Sequence, residues 1–180
     1  MINAVRPEDP ATLDTLGKVE HVVRIGGHKM DDAWFRTHYG ATHWSLPDLC
    51  ETDRLLTEAV PVPWMQVIPF TQTLRPEAAL LLDRAGGVLI SCDSLQHWPD
   101  TEGCSLLGKG LTKAMGFQKH VIQIGPPWRK NITPLGSTLA EDFRRIASLD
   151  FQHLIGAHGK PKIGDARTEV EKTVRATFPG

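Results

Sequence analysis

The stretch ALLLDRAGGVLISC, residues 79–92, decides the fold class of this chain. It consists of two apolar runs separated by a short turn that contains Gly86 and Gly87. Two such runs around a glycine-bearing turn are typical of an antiparallel β-hairpin. Asp93 directly follows the second run, and polar residues at strand ends often line the pockets of layered folds. The hairpin therefore predicts a sheet with a carboxylate at its end.

Upstream of the hairpin, apolar and β-branched runs predict three strands, at 19–25, 42–46 and 62–70. The third run contains Pro63 and Pro69. Because proline cannot donate a backbone hydrogen bond, this strand is expected at a sheet edge. Asp31 and Asp32 precede apolar residues at helical spacing, which predicts a two-turn helix over 33–40.

Downstream of the hairpin, residues 94–119 contain four glycines and little periodicity, which predicts a long loop with at most one helical turn. Two further strands are predicted at 120–124 and 151–157. Thr138 and Glu141 have the spacing of a capping box at the start of a helix, and a last helix is predicted from Asp165. Strands covered by helices indicate an α/β (α+β) fold, and the length suits a single domain spanning 1–180.

Composition narrows the classes of partner. The chain has 180 residues, with 20 Lys and Arg against 21 Asp and Glu, a net charge of −1. Nucleic-acid binders usually carry a basic excess, so no nucleic-acid partner is expected. No apolar run approaches the roughly 20 residues of a membrane-spanning helix, so no membrane partner is expected either. Three cysteines at unrelated spacings predict neither a disulfide framework nor a zinc knuckle, which favours a cytoplasmic location.

Polar side chains follow three of the predicted strands. These candidate ligands are His28, Asp31, Asp32, Asp93 and His158. Imidazole and carboxylate groups together suit zinc, iron or manganese. The same residues also have ordinary interpretations: an aspartate before a helix is a common N-cap, Asp93 could accept backbone hydrogen bonds in a turn, His158 could bond a loop carbonyl, and His28 could lie on the surface.

Two segments resemble the metallo-β-lactamase superfamily. Residues 88–95 are similar to the strand that ends in that family's metal-bridging aspartate, here Asp93, and residues 153–161 to the late strand that ends in (Gly/Ala)-His-Gly, here with His158. The resemblance implies an αββα sandwich, in this chain lacking the first strands. A second copy could cover the edge left exposed, so a homodimer is expected.

The chain departs from the family's His-x-His-x-Asp-His motif. When Asp31 takes the place of the motif aspartate, Gly27 and Lys29 stand at the first two histidine positions, with His28 one place off. Glu77 stands near the position of another family histidine. It could be a ligand or a partner of Arg75, and we interpret it as a solvated charge.

The resemblance implies one divalent metal (zinc, iron or manganese) held by Asp31, Asp93 and His158, with Asp32 or His28 as a further ligand. Asp93 would also orient the attacking water. The expected function is a metal-dependent hydrolase-like activity on a small ester, thioester, amide or phosphoester. The alternative is a metal-free, catalytically inactive relative that acts as a structural or small-ligand-binding dimer.

Overall fold

The computed structural model describes residues 1–28, 30–100, 102, 105–117 and 121–179. Lys29, at a motif position, and His120, at the start of a predicted strand, lie outside these ranges. The described residues form six helices: α1 Pro10–Asp14, α2 Asp32–Tyr39, α3 Leu106–Ala114, α4 Pro126–Ile132, α5 Ala140–Ala147 and α6 Ala166–Thr177. They form nine strands: β1 His21–Arg24, β2 Thr42–Ser45, β3 Arg54–Leu55, β4 Met65–Pro69, β5 Ala78–Leu82, β6 Val88–Ile90, β7 Leu95–His97, β8 Ile122–Ile124 and β9 His153–Ile155.

The first sheet is parallel and has the order β1-β2-β3. Strands β1 and β2 are joined through α2, because parallel neighbours need a crossover connection. The N-terminal residues extend this sheet at the β1 edge, where Ile2 bridges Val23 in parallel and the Asn3 amide donates to the Val23 carbonyl at 2.8 Å.

The second sheet has the order β4-β5-β6-β9. Strands β4, β5 and β6 are antiparallel neighbours, whereas β9 runs parallel to β6 with Ile90 opposite Ile155. Two parallel neighbours end at the same edge of a sheet. The loops after β6 and β9, which carry Asp93 and His158, therefore leave the sheet side by side. A third sheet pairs β7 with β8, and His97 bridges Gly159 in the loop after β9.

Side chains that alternate between the two faces of the larger sheets belong to three different hydrophobic clusters. On β1, Val22 packs with Phe35 of α2, whereas Val23 packs with Leu80 of β5 between the two sheets. On the opposite face of the second sheet, the largest cluster contains Phe143 of α5 and residues of α4 and α6. This alternation follows from the two-residue period of a strand.

The fold is mixed α+β, which agrees with the predicted fold class. The predicted hairpin is confirmed as β5 and β6, and β4 lies at a sheet edge as its prolines indicated. The prediction of a long loop over 94–119 is wrong, since this region contains β7 and α3. Helix α3 forms despite two glycines because the Ser105 hydroxyl caps it by accepting from the Gly108 amide.

Helix α5 is confirmed, but its capping box is not. The Glu141 carboxylate accepts from the Gln72 side chain, and Thr138 Oγ1 accepts from the Ala140 amide.

Among the described residues, no helix is both long and apolar enough to cross a membrane.

Candidate functional site

Asp93 sits where the loops after β6 and β9 touch. The Ala157 amide donates to the Cys92 carbonyl at 2.7 Å, which ties the two loops together one residue from Asp93. Gly156 permits this approach, because a Cβ at that position would lie 2.6 Å from the Leu95 carbonyl oxygen. The backbone therefore places Asp93 beside the His158 loop, as the parallel pairing of β6 and β9 requires.

The Asp93 carboxylate joins two histidines. It is buried, and its Oδ2 contacts His28 Nε2. Its Oδ1 lies 3.3 Å from His158 Nε2 but has no hydrogen-bond partner in the part of the chain that the structure describes. The two imidazoles are 45% and 59% exposed. The site thus has a buried anionic centre with two rings that reach it from the solvent side.

Three cavities meet at Asp93. One of about 430 Å³ is lined by His28 and His158 together with apolar residues such as Ile90. A second, of about 270 Å³, lies between His28, Glu77 and Trp128. The third, of about 280 Å³, extends from His158 past Trp128. Asp93 therefore lines all three cavities, although its carboxylate is buried.

Glu77 belongs to this site, and its interpretation as a solvated charge is wrong. The residue is only 3% exposed and accepts a hydrogen bond from Trp128 Nε1 at 3.3 Å. Burial raises the pKa of Glu77 from 4.5 to about 7, although the Trp128 hydrogen bond and the charge of His28 oppose this shift. The sequence feature that could have indicated this role is the position of Glu77 directly before the hairpin. In the fold, the Glu77 carboxylate accepts a backbone hydrogen bond from Gly27.

Cys92 is a further nearby group. Ligand atoms of His28, Cys92 and Asp93 lie within 4.8 Å of one another. Burial, together with the charges of Glu77 and Asp93, raises the pKa of the Cys92 thiol to about 12. Without a cation beside it, this thiol is protonated at neutral pH and is a weak nucleophile.

The structure gives the two helix-start aspartates other partners. Asp31 is exposed, and its Oδ2 accepts from the Arg6 amide at 2.9 Å. Asp32 is buried, and its Oδ2 accepts from Arg24 Nη1 at 2.8 Å. The contacts of the described residues thus bring His28 and His158 to Asp93. They place Asp31 and Asp32 in separate hydrogen-bond networks.

The residues around Asp93 fit a divalent transition metal. Two imidazoles and a carboxylate are ligand types of catalytic zinc sites, which keep one position open. The ligand atoms that lie within 4.8 Å of one another are those of His28, Cys92 and Asp93, so His158 would have to move closer to His28 to join them. The buried Asp93 Oδ1, which lacks a hydrogen-bond donor, is a suitable ligand atom. Its Oδ2 contacts His28 Nε2 directly, so an ion would have to separate these two groups.

No protein-family model matches the chain, and no curated protein matches it at a significant level.

Proposed function

We propose that this chain is a metal-dependent hydrolase-like protein with one divalent ion (zinc, iron or manganese) held by His28, Asp93 and His158. The observation that carries the proposal is the buried Asp93 carboxylate, which reaches imidazoles from two different loops at the meeting point of three cavities. Convergence of titratable groups in a concave site is the usual mark of a functional centre.

The packing also supports a metallo-β-lactamase-like αββα sandwich. One cluster lies between α2 and the first sheet, one between the two larger sheets, and one between the second sheet and α4 to α6. This is the layer order that the resemblance implies. In such an arrangement Asp93 and His158 follow adjacent strands of one sheet.

Each residue then has a defined role. A bound divalent ion would lower the pKa of a coordinated water from about 15.7 to about 7. Asp93 would anchor the ion and orient the attacking water, while His28 and His158 would complete the donor set. Glu77, with a pKa of about 7, can take up a proton on its carboxyl group near neutral pH, which suits a general base or acid.

The volumes of the cavities limit the size of the substrate. Volumes of about 270 to 430 Å³ lie at the small end of the usual range for ligand pockets. We therefore propose a small ester, thioester, amide or phosphoester as the substrate.

The test is metal content and hydrolysis in protein purified without an affinity tag. Asp93→Asn and His158→Gln should each lower zinc affinity at least tenfold and reduce hydrolysis of a panel of small esters, thioesters, amides and phosphoesters. Asp31→Asn and His38→Gln are matched controls, because both residues are exposed and their described contacts lie elsewhere. Equal zinc affinity in all five proteins would contradict the proposal.

One observation favours the inactive relative as a second candidate. The direct contact between His28 Nε2 and Asp93 Oδ2 gives the buried carboxylate a partner without an ion. In this case the cavities would bind a small ligand, and the protein would act as a metal-free homodimer. Melting temperatures that respond to zinc, manganese and ferrous ions equally in the unchanged protein and in Asp93→Asn would support this function. A monomeric mass by light scattering at micromolar concentration would contradict the dimer.

A further inference from the structure

A second group of ligand-type side chains lies apart from the residues that contact Asp93. Ligand atoms of Asp32, His43 and Cys50 lie within 4.8 Å of one another. Asp32 begins α2, His43 lies on β2, and Cys50 is in the loop after β2. Three segments of different structure therefore contribute one group each.

His43 is the most informative member of this group. It is only 1% exposed, yet neither ring nitrogen has a hydrogen-bond partner among the residues that the structure describes. Asp32 Oδ2 lies 3.5 Å from His43 Nε2. Buried imidazoles are normally hydrogen-bonded, since an unsatisfied polar group costs about 1 to 3 kcal/mol. An unpartnered ring in a group of ligands points to a missing binding partner.

Asp32 has a free ligand atom in the same place. Arg24 occupies Oδ2 and fixes the orientation of the carboxylate. The other oxygen, Oδ1, is buried and has no hydrogen-bond partner within the described ranges. The group thus combines an unsatisfied carboxylate oxygen with an unsatisfied imidazole.

The surrounding hydrogen bonds hold His43 and the loop of Cys50 together. The His43 amide donates to Asp53 Oδ2 at 2.8 Å, and the Thr52 hydroxyl donates to the His43 carbonyl at 2.8 Å. The loop is therefore folded back along β2, and the Cys50 thiol donates to Ser45 Oγ at 3.4 Å. The three ligand groups are positioned before any ion binds, which reduces the entropic cost of binding.

We propose that Asp32, His43 and Cys50 form a second zinc site, distinct from the Asp93 centre. Thiolate and imidazole ligands select zinc over magnesium and calcium, and a carboxylate completes a three-ligand set with water in the fourth position. On binding, the Cys50 thiol releases its proton to solvent and becomes the thiolate ligand. Cys50 is only half-buried, which provides a path for both ion and proton. The ion would fasten α2 to β2.

The test uses cobalt(II) as a spectroscopic substitute for zinc in the full chain, purified without an affinity tag and freed of metal. Thiolate ligation gives a charge-transfer band in the near ultraviolet. We expect this band in the unchanged protein and in Asp93→Asn, and its loss in Cys50→Ser. Cys92→Ala is the matched control, because Cys92 lies beside the other centre, and this variant should keep the band.

Zinc should also protect Cys50 from alkylation by iodoacetamide in Asp93→Asn, and this protection should disappear in His43→Gln. Circular dichroism checks that each variant is folded. If His43→Gln does not fold, loss of the cobalt band in Cys50→Ser tests the proposal instead. Absence of a thiolate band would overturn the proposal. So would a band that survives Cys50→Ser and disappears in Cys92→Ala, which would assign the thiolate to the Asp93 centre.

Discussion

The indole of Trp128 donates its Nε1 hydrogen to Glu77 Oε1 across 3.3 Å, with both side chains buried. This pair forms the wall of the cavity that also contains His28 and Asp93. A carboxyl group held by one indole and one backbone amide, that of Gly27, is poorly compensated for the loss of water. Glu77 therefore affects the stability of the protein as well as the electrostatics of the site.

The raised pKa of Glu77 predicts that stability falls as the pH rises. The unfolded chain loses this proton near pH 4.5 and the folded chain near pH 7, so the folded state binds more protons between these values. Linkage then lowers the free energy of unfolding across this range by about 3 kcal/mol, with no further loss above it. Urea unfolding of the unchanged protein and Glu77→Gln from pH 4 to 8 measures this effect.

We expect the difference in stability between Glu77→Gln and the unchanged protein to depend on pH. Glu77→Gln keeps an oxygen for Trp128 but has no charge to bury, so its stability relative to the unchanged protein should increase towards pH 8. Glu141→Gln, at an exposed carboxylate, should follow the unchanged protein. A Glu77→Gln difference that is constant with pH would contradict the proposed ionisation.

Gly26 should tolerate a side chain less well than its neighbour Gly27 does. A Cβ on Gly26 would lie 2.7 Å from Glu77 Oε1 and 3.2 Å from Cys92 Sγ, whereas a Cβ on Gly27 would meet nothing within 4 Å. Gly26→Ala should therefore cost about 1 to 3 kcal/mol through overpacking, while Gly27→Ala should stay within about 0.5 kcal/mol. Thermal unfolding of both variants checks this, and equal melting temperatures would refute the close packing of Glu77.

Much of the fold could be predicted from local sequence patterns. Apolar runs and glycine positions identified the 79–92 hairpin, β1 and α2, because each of these elements is determined by signals within about ten residues. Strand β7 could not be identified in this way. It has only three residues, and it is stabilised by β8, more than twenty positions further along the chain.

The site was predictable in part. Asp93 and His158 were identified because both follow strands, and their contact is a consequence of the parallel pairing of β6 with β9. The assignment of Asp32 to the same metal could not anticipate that Arg24 and His43 would lie beside it. Such contacts depend on tertiary packing, which a local motif does not encode.

Asp142 should be a strong stabilising residue away from the site. Its buried carboxylate accepts from the backbone amides of Thr71 and Gln72 and from the Thr71 hydroxyl, which fastens α5 to the segment after β4. Asp142→Asn replaces one acceptor oxygen by an amide that faces a backbone donor, at a cost of about 3 kcal/mol. For a chain of this size, the melting temperature should fall by about 10 °C. Glu141→Gln, which affects one exposed hydrogen bond to Gln72, should change it by about 2 °C or less, and a similar effect of both substitutions would show that the Asp142 contacts are not stabilising.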